Sequence, residues 1–264
     1  MILQTGVLYF GYLAWGCFVL LPLVKLQEVG QGFYRFFAWF SAFVMFFALG
    51  GMVFLGDSLP SQLRSAQPAA LAFTFVLVVY ALALRARSIT LLRVLYAAAS
   101  LTGFAATCAL PLQGAAGTPW LLLRAITASL TLGSGVLAMM LGHWYLTVPK
   151  LSIDPLKRYS GLYILFTVLT TVELGAAWIH FVGWNLSVPV SEAGARLALG
   201  EMVFTLFRVT WGVMAPLGMS YWIWNTVKIR STQSATGILY AAMTTTLIGE
   251  LLGVYLTLAT GVPF

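Results

Sequence analysis

Eight long apolar runs, each closed by a charged, polar or proline-bearing break, narrow the folds open to this chain more than any other feature. The runs cover about 5–24, 34–56, 68–84, 90–112, 119–147, 159–184, 197–227 and 235–262. The breaks carry Lys25 with Glu28, Asp57-Ser58-Leu59-Pro60, Arg85-Ala86-Arg87, Gln113-Gly114, Pro149-Lys150, Pro189, and Lys228 to Arg230. A helix of ~20 apolar residues crosses a hydrocarbon core, and continuous runs lack the period-2 alternation of barrel strands. The expected fold class is therefore all-α: a polytopic integral membrane protein of about eight transmembrane helices, one transmembrane domain over 1–264. Composition agrees, with 61% hydrophobic and 8% charged residues, where soluble domains carry about a quarter charged. Little chain is left over for a soluble catalytic domain or a nucleic-acid-binding face.

The opening Met1-Ile2-Leu3-Gln4-Thr5 lacks the basic start of a secretory signal, so the first run is expected to be a retained helix. Cys17 and Cys108 fall inside runs without CxxC spacing and read as small core residues.

Orientation follows from Lys and Arg. The odd loops hold Lys25, Arg35, Arg85, Arg87, Arg93, Lys150, Lys157, Arg158, Lys228 and Arg230, and the even loops only Arg64 and Arg196. By the positive-inside rule the odd loops are cytoplasmic and both termini lie on the outer side. Trp144, Tyr145, Tyr159, Trp178, Trp184, Tyr221, Trp222 and Trp224 stand where interfacial aromatic belts are expected. Gly249 and Gly253 form a GxxxG, and Gly133-Ser134-Gly135 is a second small-residue stretch, both signals of close helix approach.

A charge at the bilayer centre costs roughly 2.5–3.5 kcal/mol, which makes intramembrane ionisable residues functional candidates. At 1.5 Å per residue, Glu173, Arg208 and Glu250 lie about 16–18 Å from the outer ends of their runs. Arg124, His180 and Glu201 lie about 6–8 Å from theirs. The deeper three form an expected proton or quinone cluster of formal charge −1, with one Glu paired to Arg208 and the other free to exchange a proton. The shallower three form an outer polar layer that leads to water through a titrating His. The structural alternative is that buried Arg–Glu pairs hold helices in register and that the outer groups snorkel to headgroups.

The two histidines, His143 and His180, fall at opposite ends of their runs, so a bis-His haem within the chain is not expected. No metal-ligand cluster, nucleotide-binding sequence or hydrolase elbow is present in the sequence. In loop five, two prolines and three basic residues follow His143 and Tyr145, which are candidates to contact a headgroup or a partner. Asn185-Leu186-Ser187 matches a glycosylation sequon.

The stretch Phe207-Arg208-Val209-Thr210-Trp211-Gly212-Val213-Met214-Ala215-Pro216-Leu217, then a basic turn, then Ile248-Gly249-Glu250-Leu251-Leu252-Gly253, resembles the closing helices of a known anchor group. These are the haem-free, quinol-reactive membrane anchors of polysulfide, nitrite and dimethyl-sulfoxide reductases. The resemblance implies about eight helices, quinone as cofactor, and electron exchange with a separate iron–sulfur subunit. The arginine that often follows the last glycine in those anchors is Val254 here. The expected function is thus that of an integral membrane subunit of an electron-transfer complex in a bacterial or archaeal inner membrane. Its expected partners are the lipid bilayer and further protein subunits. The alternatives are a small proton-coupled transporter, against which the absence of a visible repeat or broken helix counts, and a structural assembly subunit.

Overall fold

Backbone amides and carbonyls in hydrocarbon have no water to pair with, so a chain this apolar closes its hydrogen bonds within helices. The computed structural model describes residues 1–86, 88–108, 118–148, 151–179 and 199–264, and every regular element among them is helical. In order these are α1 (Ile2–Val19), α2 (Leu26–Leu55), α3 (Ser61–Ala83), α4 (Ile89–Cys108), α5 (Thr118–Thr147) and α6 (Asp154–Trp178). The seventh span is composite. It begins as α7 (Leu199–Val209), widens into a π-helical turn at Thr210–Met214, and continues as α8 (Ala215–Lys228). The last helix is α9 (Thr232–Thr260). Eight spans among the described residues are long and apolar enough to cross a membrane. Arg87, Gln113, Gly114, Pro149, Lys150, His180, Trp184, the Asn185 sequon, Pro189 and Arg196 lie outside the described residues.

Three helices start well before the expected boundaries. α2 opens with a turn at Leu26, where the Glu28 carboxylate accepts the Lys25 backbone N–H at 3.1 Å, kinks at Gly30 (φ 83°) and then runs on, so Arg35 sits inside a helix and not in a loop. α3 opens at Ser61 and carries Pro68 within it. α6 opens at Asp154 and takes Lys157 and Arg158 out of the loop. The physical reason is common to all three. Hydropathy marks where the apolar stretch begins, whereas backbone hydrogen bonding marks where the helix begins. Arg158 then reaches Glu28 at 3.0 Å, tying the start of α6 to the start of α2.

Packing divides the spans into two groups of four. In the first, α1 meets α2, α2 meets α3, α3 meets α4, and α4 returns to α1. In the second, α5 meets α6, α6 meets the seventh span, that span meets α9, and α9 returns to α5. The groups join chiefly where α1 lies against α5 and α9. At the α1–α5 seam the backbones touch: a Cβ on Gly133 would stand 2.1 Å from the carbonyl carbon of Gly16. Gly135, two residues on, faces Tyr163 and Met243. One glycine of the expected small-residue stretch therefore serves the seam and the other serves the interior of the second group.

The first group is filled by aromatic rings. Phe18 centres a set with Tyr80 at 5.1 Å, Tyr96 at 5.5 Å and Phe73 at 6.3 Å between ring centroids. Around the outside, large apolar side chains such as Phe46, Phe54, Phe75 and Leu101 are exposed, a surface suited to lipid. Tyr159, read as part of an interfacial belt, is instead fully buried and donates its hydroxyl to the Leu21 carbonyl at 2.8 Å. Here a tertiary partner outweighs interfacial preference, because a buried phenol needs an acceptor.

Candidate functional site

Each span of the second group contributes one ionisable side chain to a common interior: Arg124 from α5, Glu173 from α6, Arg208 from α7 and Glu250 from α9. All four are buried, Arg208 and Glu250 completely. Glu250 is the shared counter-ion. One of its carboxylate oxygens accepts from Arg124 Nη2, and the other accepts from Arg208 Nη2 at 3.1 Å. The second contact of Arg124 runs from Nε to the main-chain oxygen of Phe264. Glu173 accepts from the Thr127 hydroxyl, one turn along α5 from Arg124.

Local sequence explains how two guanidiniums fit into a packed bundle. Pro216 cannot donate to the carbonyl four residues back, and the helix just before it widens into the π turn. That turn presents Gly212 against Gly249 of α9: a Cβ on Gly212 would stand 2.5 Å from Gly249 Cα and 2.9 Å from Arg208 Nη1. One helical turn on, a Cβ on Gly253 would stand 2.7 Å from Arg124 Nη2 and 2.9 Å from Arg208 Nε. The expected GxxxG is thus a helix contact at its first glycine and a recess for guanidinium groups at its second.

The grouping differs from the expected one in two ways. Arg124, expected in the outer layer, lies against Glu250; residue counting locates a Cα, and the long stem of an arginine carries its charge well away from there. With Arg124 included, two guanidiniums face two carboxylates and the formal charge is zero, not −1. Glu201, also expected in the outer layer, is half-buried in the first turn of α7, with no ion pair among the described residues. The third member of the expected outer layer, His180, lies outside the described residues. In loop five, His143 is exposed, while Tyr145 is buried and donates its hydroxyl to the Ser152 carbonyl. Tyr145 therefore pins its own loop and does not present that hydroxyl to a headgroup or partner.

Several polar atoms of the cluster have no hydrogen-bond partner among the described residues: Arg124 Nη1, Arg208 Nε and Nη1, and Glu173 Oε1. A buried, unpaired donor or acceptor costs about 1–3 kcal/mol, more when charged, so such atoms mark places where water or a ligand group belongs. Sequence reasoning missed two of the site's parts. Thr127 is an ordinary apolar-helix threonine until Glu173 is set beside it, and Phe264 carries no signal for a main-chain acceptor role.

A groove of about 550 Å³ runs beside the cluster on the outside of the bundle, between α6 and the seventh span. Leu174, Gly175, Trp178, Leu206, Val209 and Val213 are among its lining residues. Leu174 and Val213 also pack with Leu256 and Phe264, the residue whose main-chain oxygen accepts from Arg124. One thin apolar layer thus separates the groove from the charges. Among the described residues no group of three or more His, Cys, Asp or Glu is placed to hold a metal. No family model, curated protein or solved structure matches this chain.

Proposed function

We propose that this chain is the membrane subunit of an electron-transfer complex, with Glu173 exchanging protons for a quinone seated in the groove between α6 and the seventh span. The observation that carries the reading is the convergence of four ionisable groups, one from each span of one bundle, with unequal partnering. Glu250 is committed to two guanidiniums. Among the described residues Glu173 has a single neutral partner and one unpartnered oxygen, so it can gain or lose a proton without breaking an ion pair. Residues of this kind inside membrane spans commonly mark proton relays. The groove suits an apolar ring and tail, and Arg208 lies one residue from its lining at Val209.

Quinone reduction consumes two protons, along with two electrons that an iron–sulfur partner subunit would supply. The Lys and Arg distribution supports cytoplasmic odd loops and outward termini, and the membrane is taken to be a bacterial or archaeal inner membrane.

The test is titration of the protein in lipid nanodiscs with decylubiquinone, read by quenching of tryptophan fluorescence. Gly175 has open space at its Cβ, so Gly175→Phe fills the groove without a backbone clash. It is expected to weaken binding about ten-fold or more, a loss of ~1.4 kcal/mol. Equal affinity in the two proteins refutes the reading.

The interruption of the seventh span at its π turn and Pro216 favours a second reading, a proton-coupled transporter, since broken helices line many transport sites. Solute uptake by the isolated chain in proteoliposomes distinguishes it.

A further inference from the structure

The face of α6 that carries Glu173 does not end there. Ser160, Tyr163, Thr167, Thr170 and Glu173 recur at steps of three and four residues, so they lie on one face of the helix, and all five are buried. The facing helix α5 answers with Arg124, Thr127, Thr131 and Ser134 at the same steps, also buried. Hydrogen bonds join this face of α6 to α5 and, further along, to α9. Thr127 donates to Glu173, Thr131 and Thr170 share a hydrogen bond of 2.9 Å, and Tyr163 shares one of 2.7 Å with Thr246 of α9. From Glu173 to Ser160 the series spans about 20 Å along the helix, most of the ~30 Å of a hydrocarbon core. Both of its ends hold an unpartnered buried atom, Glu173 Oε1 and Ser160 Oγ.

From this we infer that the α5–α6 interface is a proton path, running from Glu173 through the Thr131–Thr170 and Tyr163–Thr246 pairs to Ser160 and out at the opposite end of the bundle. Hydroxyls suit this task because each accepts one proton while donating another. Thr and Ser that merely join helices need no order along an axis, and no carboxylic acid at one end. Thr170 stands about one helical turn from Glu173 and Ser160 one turn from Tyr163, while the two turns from Thr170 to Tyr163 hold the Thr167 hydroxyl between them. Transfer between rungs therefore passes through bridging water, as expected for polar groups more than 3.5 Å apart. The protons balance: Glu173 passes its proton into the chain, the Ser160 end gives one to water, the hydroxyls rotate back to their starting orientation, and the Glu173 carboxylate takes a fresh proton from water on its own side. The charged groups facing Glu173 are Arg124 of α5, Arg208 of α7 and Glu250 of α9. The path rests on the proposed proton exchange at Glu173 but not on quinone.

The experiment uses full-length protein in phosphatidylcholine–phosphatidylglycerol vesicles containing trapped pyranine, with a potassium gradient and valinomycin setting the potential. Wild-type protein is expected to carry protons faster than protein-free vesicles. Thr170→Val and Tyr163→Phe are expected to lower the flux about ten-fold, while Thr170→Ser and Thr102→Val, the latter in the first bundle, keep it. The path is overturned if wild-type vesicles are no leakier than protein-free ones, or if both Thr170→Val and Tyr163→Phe conduct normally. Should one of these variants fail to fold, the other decides. Decylubiquinone titration of the same preparation separates the proposals: retained binding with no flux sinks the path alone, and retained flux with no binding sinks quinone alone.

Discussion

The two four-helix groups follow one plan and fill it with opposite chemistry. Where α5, α6, α7 and α9 gather two guanidiniums and two carboxylates, α1 to α4 gather Val7, Met45, Ala48, Ala70 and Gly103 around a cavity of about 10 Å³. A hollow that small with apolar walls is at the limit of what holds one water. Among the described residues, every buried charged side chain belongs to the second group. The contrast separates two ways of holding helices together in lipid, where tails are as apolar as side chains and add no hydrophobic drive. The first group relies on the packing of rings and apolar side chains, with Gly103 making room for Trp15 and Phe73. The second relies on charges that cancel only when all its spans are in place.

That difference can be broken by substitution, and the largest effect is expected in the charged core. Glu250→Gln removes the common counter-ion of two buried guanidiniums, and breaking a buried pair of this kind costs about 3–5 kcal/mol. A large fall in the thermal midpoint in detergent is expected. A midpoint unchanged by Glu250→Gln would mean that the arginines do not depend on that carboxylate. In the first group, Phe18→Ala removes the ring at the centre of three others and is expected to cost about 3 kcal/mol. The same melts, with the loss confined to stability and no change in proton flux, check it; a change in flux would join the two groups functionally. The smallest effect should come from Thr127→Val, worth about 1 kcal/mol as a single interhelical hydrogen bond. Its diagnostic is spectroscopic: the Glu173 carboxyl band in infrared difference spectra should shift when the Thr127 hydroxyl that bonds it goes.

How much of this was legible beforehand differs by level. Residue runs located all eight spans, because length and hydropathy are local. They misplaced the starts of α2, α3 and α6, because the first turns of those helices hold polar and charged residues such as Glu28, Arg64 and Asp154 and so lie beyond the apolar stretch. For the site, Glu173, Arg208 and Glu250 stand out in any reading, since ionisable groups in apolar runs are rare. Arg124 was assigned to the wrong layer, and Thr127 was not noticed. The glycines at 16 and 212 gave no hint of their partners at 133 and 249, as contact between distant spans is not written in either one.

From the amino-acid order alone, then, come the helical class, the number of spans and the short list of buried charges, all consequences of what hydrocarbon permits a single segment to contain. Tertiary structure alone decided that the spans sort into two groups, that Arg124 and Arg208 share Glu250, and that Glu173 is left to a threonine. Those outcomes turn on which helices touch and how closely. Where lipid competes equally for every apolar face, that choice is settled by the fit of glycine against glycine and by the requirement that buried charge be neutralised.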